Sequence, residues 1–217
     1  LLLIRLTLAL PVYLLIAILS FRKWQQKYTM KWRFVPAILL LGLGGYYFAN
    51  YLDFAGLQYV SASVERLILF VYPTMVVGIT ALVNRKRVPG DQIIAIVITY
   101  FGVFLIFFQG LLFDDRTNML LGGGLIICCA LVYACFMVGS EKLIARTGSV
   151  QFTCYTLIAS CLAVLGHFYL GEHPSIGGFP SQVYWIGGGM AIFSTVIPSF
   201  IISESIRRLS ASYVAII

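Results

Sequence analysis

Charge is scarce in this chain. Asp, Glu, Lys and Arg together make up 11% of its 217 residues, where soluble domains carry roughly 25%, so most of its surface cannot face water. Only two histidines and five cysteines are present, with no CxxC pair and no Cys/His spacing suited to zinc. Cys128, Cys129, Cys135, Cys154 and Cys161 all lie inside apolar runs and read as small packing residues rather than a disulfide framework. His167 and His173 have no carboxylate or thiol at ligand spacing, so neither a metal nor a cofactor is expected. HExxH, GxSxG and acidic-cluster signatures are missing too, which argues against an enzyme. The triplets Gly122-Gly123-Gly124 and Gly187-Gly188-Gly189 are not followed by Lys-Ser/Thr; they suit close helix approach, not phosphate binding.

Long apolar runs are what the chain has in abundance. Hydrophobic residues reach 60% and mean hydropathy is +0.95. A bilayer core takes about 20 mostly apolar residues per helix, and seven runs approach or meet that length, at 1–20, 34–56, 64–83, 91–109, 120–140, 151–170 and 183–205. An eighth begins near Ser210. None alternates apolar with polar as strands of a membrane barrel would, so the expected class is an all-α integral membrane bundle. The chain opens at Leu1-Leu2-Leu3 within an apolar run, without an initiator Met, and closes at Ala215-Ile216-Ile217 in another. It shows neither the basic start nor the small-residue cleavage site of a signal peptide, and truncation at both ends is expected.

The +7 net charge does not point to nucleic acid, because the basic residues sit in short clusters between the runs. Arg22, Lys23, Lys27, Lys31 and Arg33 occupy the first connector, and Arg85, Lys86 and Arg87 the third. Lys142 and Arg146 follow in the fifth, Arg207 and Arg208 in the seventh. The even connectors hold only Arg66 and Arg116, the latter beside Asp114 and Asp115. Basic loops stay on the cytoplasmic side, which places the odd connectors inside and implies a multi-pass protein of the inner or plasma membrane.

An internal echo runs through this pattern. Ser61-Ala62-Ser63 and Ser210-Ala211-Ser212 coincide at an offset of 149 residues. The same offset lays the run at 1–20 on 151–170 and the run at 34–56 on 183–205. The first triplet falls in an outside connector and the second in an inside one, so the repeat contains an odd number of helices and is inverted. Inverted repeats around a midplane site are a transporter architecture. The expected domains are residues 1–110, a first repeat lacking its first helix, and 118–217, a second repeat lacking its C-terminal end. Ten helices, five per repeat, would complete the fold, with about seven full and one partial here.

The stretch from Gly45 to Thr74, with its step Gly56-Leu57-Gln58-Tyr59-Val60-Ser61-Ala62 followed by Tyr72-Pro73, resembles the EamA-type members of the drug/metabolite transporter superfamily. Arg5 is similar to a basic residue often found early in the preceding helix of that family. The resemblance covers essentially the whole chain. It implies ten helices in two five-helix repeats and secondary transport of small organic metabolites, often efflux, and it leaves the substrate open.

Several polar residues are candidates for the substrate path, because a polar group at membrane depth is costly unless it faces the bundle interior. Tyr46, Asn50 and Asp53 fall at i, i+4 and i+7 and share one helix face. The offset carries Tyr46 to Thr195 and Asn50 to Ser199, a stripe that Ser203 continues. Tyr72 precedes Pro73, which predicts a mid-helix kink, and Pro198 offers another. Tyr133, with Met137 one turn on, would add an aromatic wall. Asp53, Glu65, Arg66 and Glu204 are candidates for gating or charge, set against plainer roles. Asp53 near the outer end suits solvation, and Ser61 or Ser63 suits capping of the helix that Glu65 enters. Glu204 and Arg208 suit a local i,i+4 pair.

The expected partners are a small-molecule substrate and the lipid bilayer, without nucleic acid, and a homodimer is left open. Two rival classes stand beside a transporter: a non-transporting structural or sensor subunit, and a membrane-embedded enzyme. Convergence of Tyr46, Asn50, Thr195 and Ser199 on one cavity would separate transport from the first rival.

Overall fold

A computed structural model describes residues 2–25, 32–85, 87–107, 119–171 and 180–217. Lys27, Lys31, Lys86, Arg116 and His173 lie outside them. The elements are α1 (Leu2–Gln25), α2 (Val35–Gly42), α3 (Ala49–Gly56), α4 (Ala62–Leu69), α5 (Tyr72–Asn84), α6 (Gly90–Phe107), α7 (Met119–Thr147), α8 (Ser149–Leu170), α9 (Ser181–Met190), α10 (Ile197–Leu209) and α11 (Ala211–Ile216). No strand occurs among the described residues. Among the described residues, six spans are long and apolar enough to cross a membrane: Leu3–Ser20, Val35–Gly56, Ala62–Asn84, Met119–Thr147, Ser149–Leu170 and Ser181–Leu209. The chain is an all-α, multi-pass membrane protein, since helices satisfy every backbone group internally where lipid offers no partner.

Two of the spans widen in the middle. Between α2 and α3 the chain forms a π-helical segment, Leu43–Phe48, and between α9 and α10 a second, Ala191–Val196. The second has a local cause: Pro198 carries no N–H for the carbonyl one turn back, and the preceding turn loosens. The first contains Gly44 and Gly45, whose backbones depart from regular α geometry at little cost. The span at 62–84 is interrupted as Tyr72-Pro73 predicts. Regular α-helix stops at Leu69, Val71 N–H bonds instead to the Ile68 carbonyl at 3.0 Å, and α5 restarts at Tyr72 with Pro73 in its first turn. Ser61 is the cap of α4, its Oγ accepting from Val64 N–H at 3.4 Å.

The chain divides into two compact units. One comprises Leu1–Leu43 and Glu141–Arg208 and is organised around α8, which is buried along most of its first three turns against α1 and α2. Gly42 makes this packing possible: a Cβ there would fall inside contact distance of the Thr156 carbonyl and 2.7 Å from Thr156 Cα. At one end of this unit, Arg33 and Arg146 both lie over the Phe34 ring, at 4.9 and 5.4 Å. The first and fifth connectors therefore share one membrane face, as the alternating charge requires.

The other unit comprises Gly44–Ser140 and Leu209–Ile217. Its core is Val60, Val64 and Ile126, with Ile68 and Leu69 packed against it. Gly122 permits the close approach: a Cβ there would lie 2.8 Å from Val60 Cγ1 and Tyr59 Cβ. Of the two glycine triplets, Gly122 and Gly187 make such contacts, whereas Gly124 and Gly189 face open space. Tyr213 O–H donates to Asp91 at 3.2 Å, which puts the third and seventh connectors on one side.

Candidate functional site

Asn50, the centre of the predicted stripe, turns its side chain back on its own helix. Its Nδ2 donates to the Tyr46 carbonyl, inside the first π segment. Thr195 does the same in the second: its Oγ1 donates to the Met190 carbonyl, five residues back, at 3.4 Å. A widened turn leaves carbonyls short of amide partners, and in lipid an unsatisfied backbone group is expensive. Part of the polar stripe thus maintains the π segments themselves.

In the unit of residues 44–140 the aromatic candidates come together. Tyr46 stands edge-on to Phe136 with ring centroids 4.9 Å apart, Phe136 lies 5.8 Å from Tyr133, and Tyr133 stands edge-on to Tyr72 at 5.8 Å. Helices from three spans thereby contribute to one row of rings. Phe136 was not anticipated; its position three residues after Tyr133 was the available signal. Met137 is buried in the core. Beside Tyr72 is a cavity of about 260 Å³, lined by Pro73, Thr74, Thr99, Tyr100 and Ile217 among others, where Thr74 Oγ1 and Tyr100 O–H are 2.5 Å apart. Asp53 and Glu65 belong to this unit too. Glu65 is buried, Asp53 Oδ1 is enclosed without a hydrogen-bond partner, and Arg66 faces outward.

Ser199 and Thr195 lie in the other unit. Ser199 Oγ donates to the Val196 carbonyl at 2.8 Å and accepts from Tyr13 O–H at 3.0 Å. Tyr13 is fully buried and was missed as a candidate; a lone tyrosine in the middle of an apolar run was its mark. One turn further on, Ser203 and Thr153 hydroxyls are 2.6 Å apart. A turn beyond, Ser149 Oγ donates to Glu204 at 2.7 Å. Glu204 also accepts from Arg208 Nε at 2.7 Å and Arg207 Nε at 2.8 Å. The expected Glu204–Arg208 pair is present and shared with Arg207. This ladder joins α1, α8 and α10 by hydrogen bonds across helices, as polar residues do in membrane bundles.

The EamA-like transporter family matches residues 1–108. The uncharacterized transporter YcbK of Bacillus subtilis is 31% identical over 182 residues, 81% of this chain and 57% of its own length. The chain belongs to the EamA-like transporter family. A second relative of this EamA chain is the uncharacterized transporter YyaM of the same organism, 24% identical over 80% of the chain and 58% of its own. A third, an uncharacterized transporter of Archaeoglobus fulgidus, is 19% identical over 77% and 55%. The EamA chain thus spans a little over half the length of these curated relatives. One solved crystal structure superposes on 99% of the chain and 72% of its own with a TM-score of 0.73 at 15% identity, a likeness that speaks to the fold alone.

Proposed function

We propose that this protein is a secondary transporter of small organic metabolites in the plasma membrane, working outward by alternating access between two inverted repeats. The observation that carries the reading is the pairing of the two π segments. Leu43–Phe48 and Ala191–Val196 lie 148 residues apart, within one residue of the sequence offset, and each interrupts the same helix of its repeat. Ser61 and Ser210, at the offset itself, both precede the next helix. Two unlike sequences that adopt one irregularity at matched positions support a duplicated, inverted design. Irregular helix at membrane depth is tolerated where it is enclosed by protein or lines a path, and paired interruptions accompany transporter sites. The row of Tyr46, Phe136, Tyr133 and Tyr72 supports a path wall in one repeat.

The test is a transport assay on the full-length protein. Cells expressing it are loaded with labelled amino acids, nucleosides, sugars and amines, and efflux is followed against cells with an empty vector. At least one solute should leave faster, and Tyr133→Ala, matched for membrane abundance, should slow it. If nothing in the panel moves faster, the reading is wrong.

A further inference from the structure

Two arginines from distant parts of the chain share one ring with no acid between them. Arg33 precedes α2, and Arg146 lies in the last turn of α7. The central carbon of each guanidinium lies close to the Phe34 ring centroid, at 4.9 Å for Arg33 and 5.4 Å for Arg146. The two cations therefore stand no further apart than the sum of those distances. Both are exposed, and neither forms an ion pair with a described residue. The sequence supplies little to neutralise them. No Asp or Glu occurs before Asp53. Glu141 is five residues before Arg146, well round α7 from it, while Lys142, one turn before, adds a third positive charge to the same face. Arg207 and Arg208 make the contrast, since both converge on Glu204.

Ordinary roles account for Arg146 but not for the meeting. A cation in the last turn of α7 suits the helix dipole. Arg33 stands at the opposite kind of end, just before the N-terminus of α2, where the dipole disfavours it. An exposed ring offsets one cation only weakly, and a second guanidinium beside it adds repulsion. That end of α2 also has no side-chain cap, and uncapped N–H groups favour an anion as the arginines do. A group with negative oxygens set between the guanidiniums removes the repulsion and engages both.

We propose that Arg33, Arg146 and Phe34 form a binding site for the phosphodiester headgroup of an anionic phospholipid. Arginine forks match phosphate oxygens bidentately, and basic sites between membrane helices hold acidic headgroups. Position names the source. Arg33 lies two residues before the apolar span Val35–Gly56, and Arg146 one residue before the end of the span Met119–Thr147, so both stand at the level of headgroups. From Arg33 inward, Pro36, Leu40 and Leu43 follow at helical spacing, and all three are exposed. This stripe runs about 15 Å along the helix, half the thickness of a hydrocarbon core and so the depth of one leaflet. An acyl chain lies along such a stripe, whereas a free phosphate has no use for it. The site goes beyond the transport reading and does not depend on it.

The full-length protein in a neutral detergent is titrated with phosphatidylglycerol, and bound lipids are counted by native mass spectrometry. Phosphatidylcholine is the zwitterionic comparison, and glycerol 1-phosphate is the headgroup without its chains. One phosphatidylglycerol should bind about tenfold more tightly than phosphatidylcholine, and Arg33→Gln and Arg146→Gln should each remove about that factor, the scale of one charge-assisted contact. Arg208→Gln, whose charge already serves Glu204, should leave binding unchanged. Glycerol 1-phosphate at equal concentration should displace none of the lipid. Both arginines are exposed, so the variants should fold, which unchanged melting without added lipid establishes; the wild-type preference between lipids needs no variant at all. Equal binding of the two lipids overturns the proposal, the arginines then being solvated charges. Wild-type affinity in the folded Arg33→Gln/Arg146→Gln double variant overturns it too, because the lipid then binds elsewhere. Displacement by glycerol 1-phosphate as effective as by whole lipid makes this a site for small phosphates and sinks the lipid assignment.

Discussion

Gly42 and Gly44 are two residues apart in one apolar span, yet their replacement by alanine should have opposite consequences. A Cβ on Gly42 would sit 2.7 Å from Thr156 Cα and nearer still to its carbonyl oxygen, where carbon atoms prefer roughly 3.5–4.0 Å. The obstacle is backbone, so no side-chain rotation relieves it. The backbone belongs to α8, the buried centre of its unit, and α2 must retreat by about 1 Å to restore contact distance. Overpacking of this kind costs about 1–3 kcal/mol, and better helix propensity returns up to about 1 kcal/mol. The net loss for Gly42→Ala is about 1–2 kcal/mol, which for a chain of this size lowers the melting temperature by roughly 2–8 °C. Around Gly44 a Cβ would meet nothing within 4 Å, so Gly44→Ala should be neutral or stabilising by up to about 1 kcal/mol. Heating detergent-solubilised protein and measuring the surviving monodisperse fraction by fluorescence-detected size exclusion gives both shifts. If Gly42→Ala melts with the wild type, or Gly44→Ala falls as far, the close approach of α2 to α8 is not what holds this unit.

Other expectations come from the helix interruptions and the charge pattern. Asn50→Ala removes the donor to the Tyr46 carbonyl and should lower stability by about 1–3 kcal/mol with no ligand present, while Asn50→Ser recovers part of it; unchanged melting in Asn50→Ala would mean that the amide is not needed there. Ser210 adopts φ 110°, a strained backbone for a residue with a Cβ, so Ser210→Gly should stabilise by about 1 kcal/mol, read as a raised melting temperature; a drop would show that the hydroxyl matters more than the strain. Glu204→Gln weakens its contacts to Arg207 and Arg208, but partly exposed pairs contribute little, and a change under about 1 kcal/mol is expected in the same melt. Alkaline phosphatase fused in the connector after Asn84 should be inactive and after Phe107 active, because the basic connector stays inside; the reverse activities would invert the topology.

The sequence by itself determined the class, the span positions and the alternation of sides. These follow from bulk quantities: an apolar run of about 20 residues has one solution in lipid, and Lys and Arg count the same wherever their side chains point. The kink at Tyr72-Pro73 and the Glu204–Arg208 pair were also legible, because each depends on covalent geometry or on neighbours one turn apart. The shared face of Tyr46, Asn50 and Asp53 was legible as periodicity, but not what each does on it. Whether an amide reaches across to a partner or folds back on its own carbonyl depends on the local width of the helix, which the periodicity of side chains does not give. Tyr13 meets Ser199 across 186 positions, and the glycines that matter differ from their neighbours only in what lies opposite. The same holds for Asp53 and Glu65. In sequence they end one helix and begin the next, each with a bland explanation of its own. Only the tertiary fold shows that Glu65 is buried and that Asp53 Oδ1 is enclosed without a hydrogen-bond partner, because what covers a helix end depends on the helices packed against it.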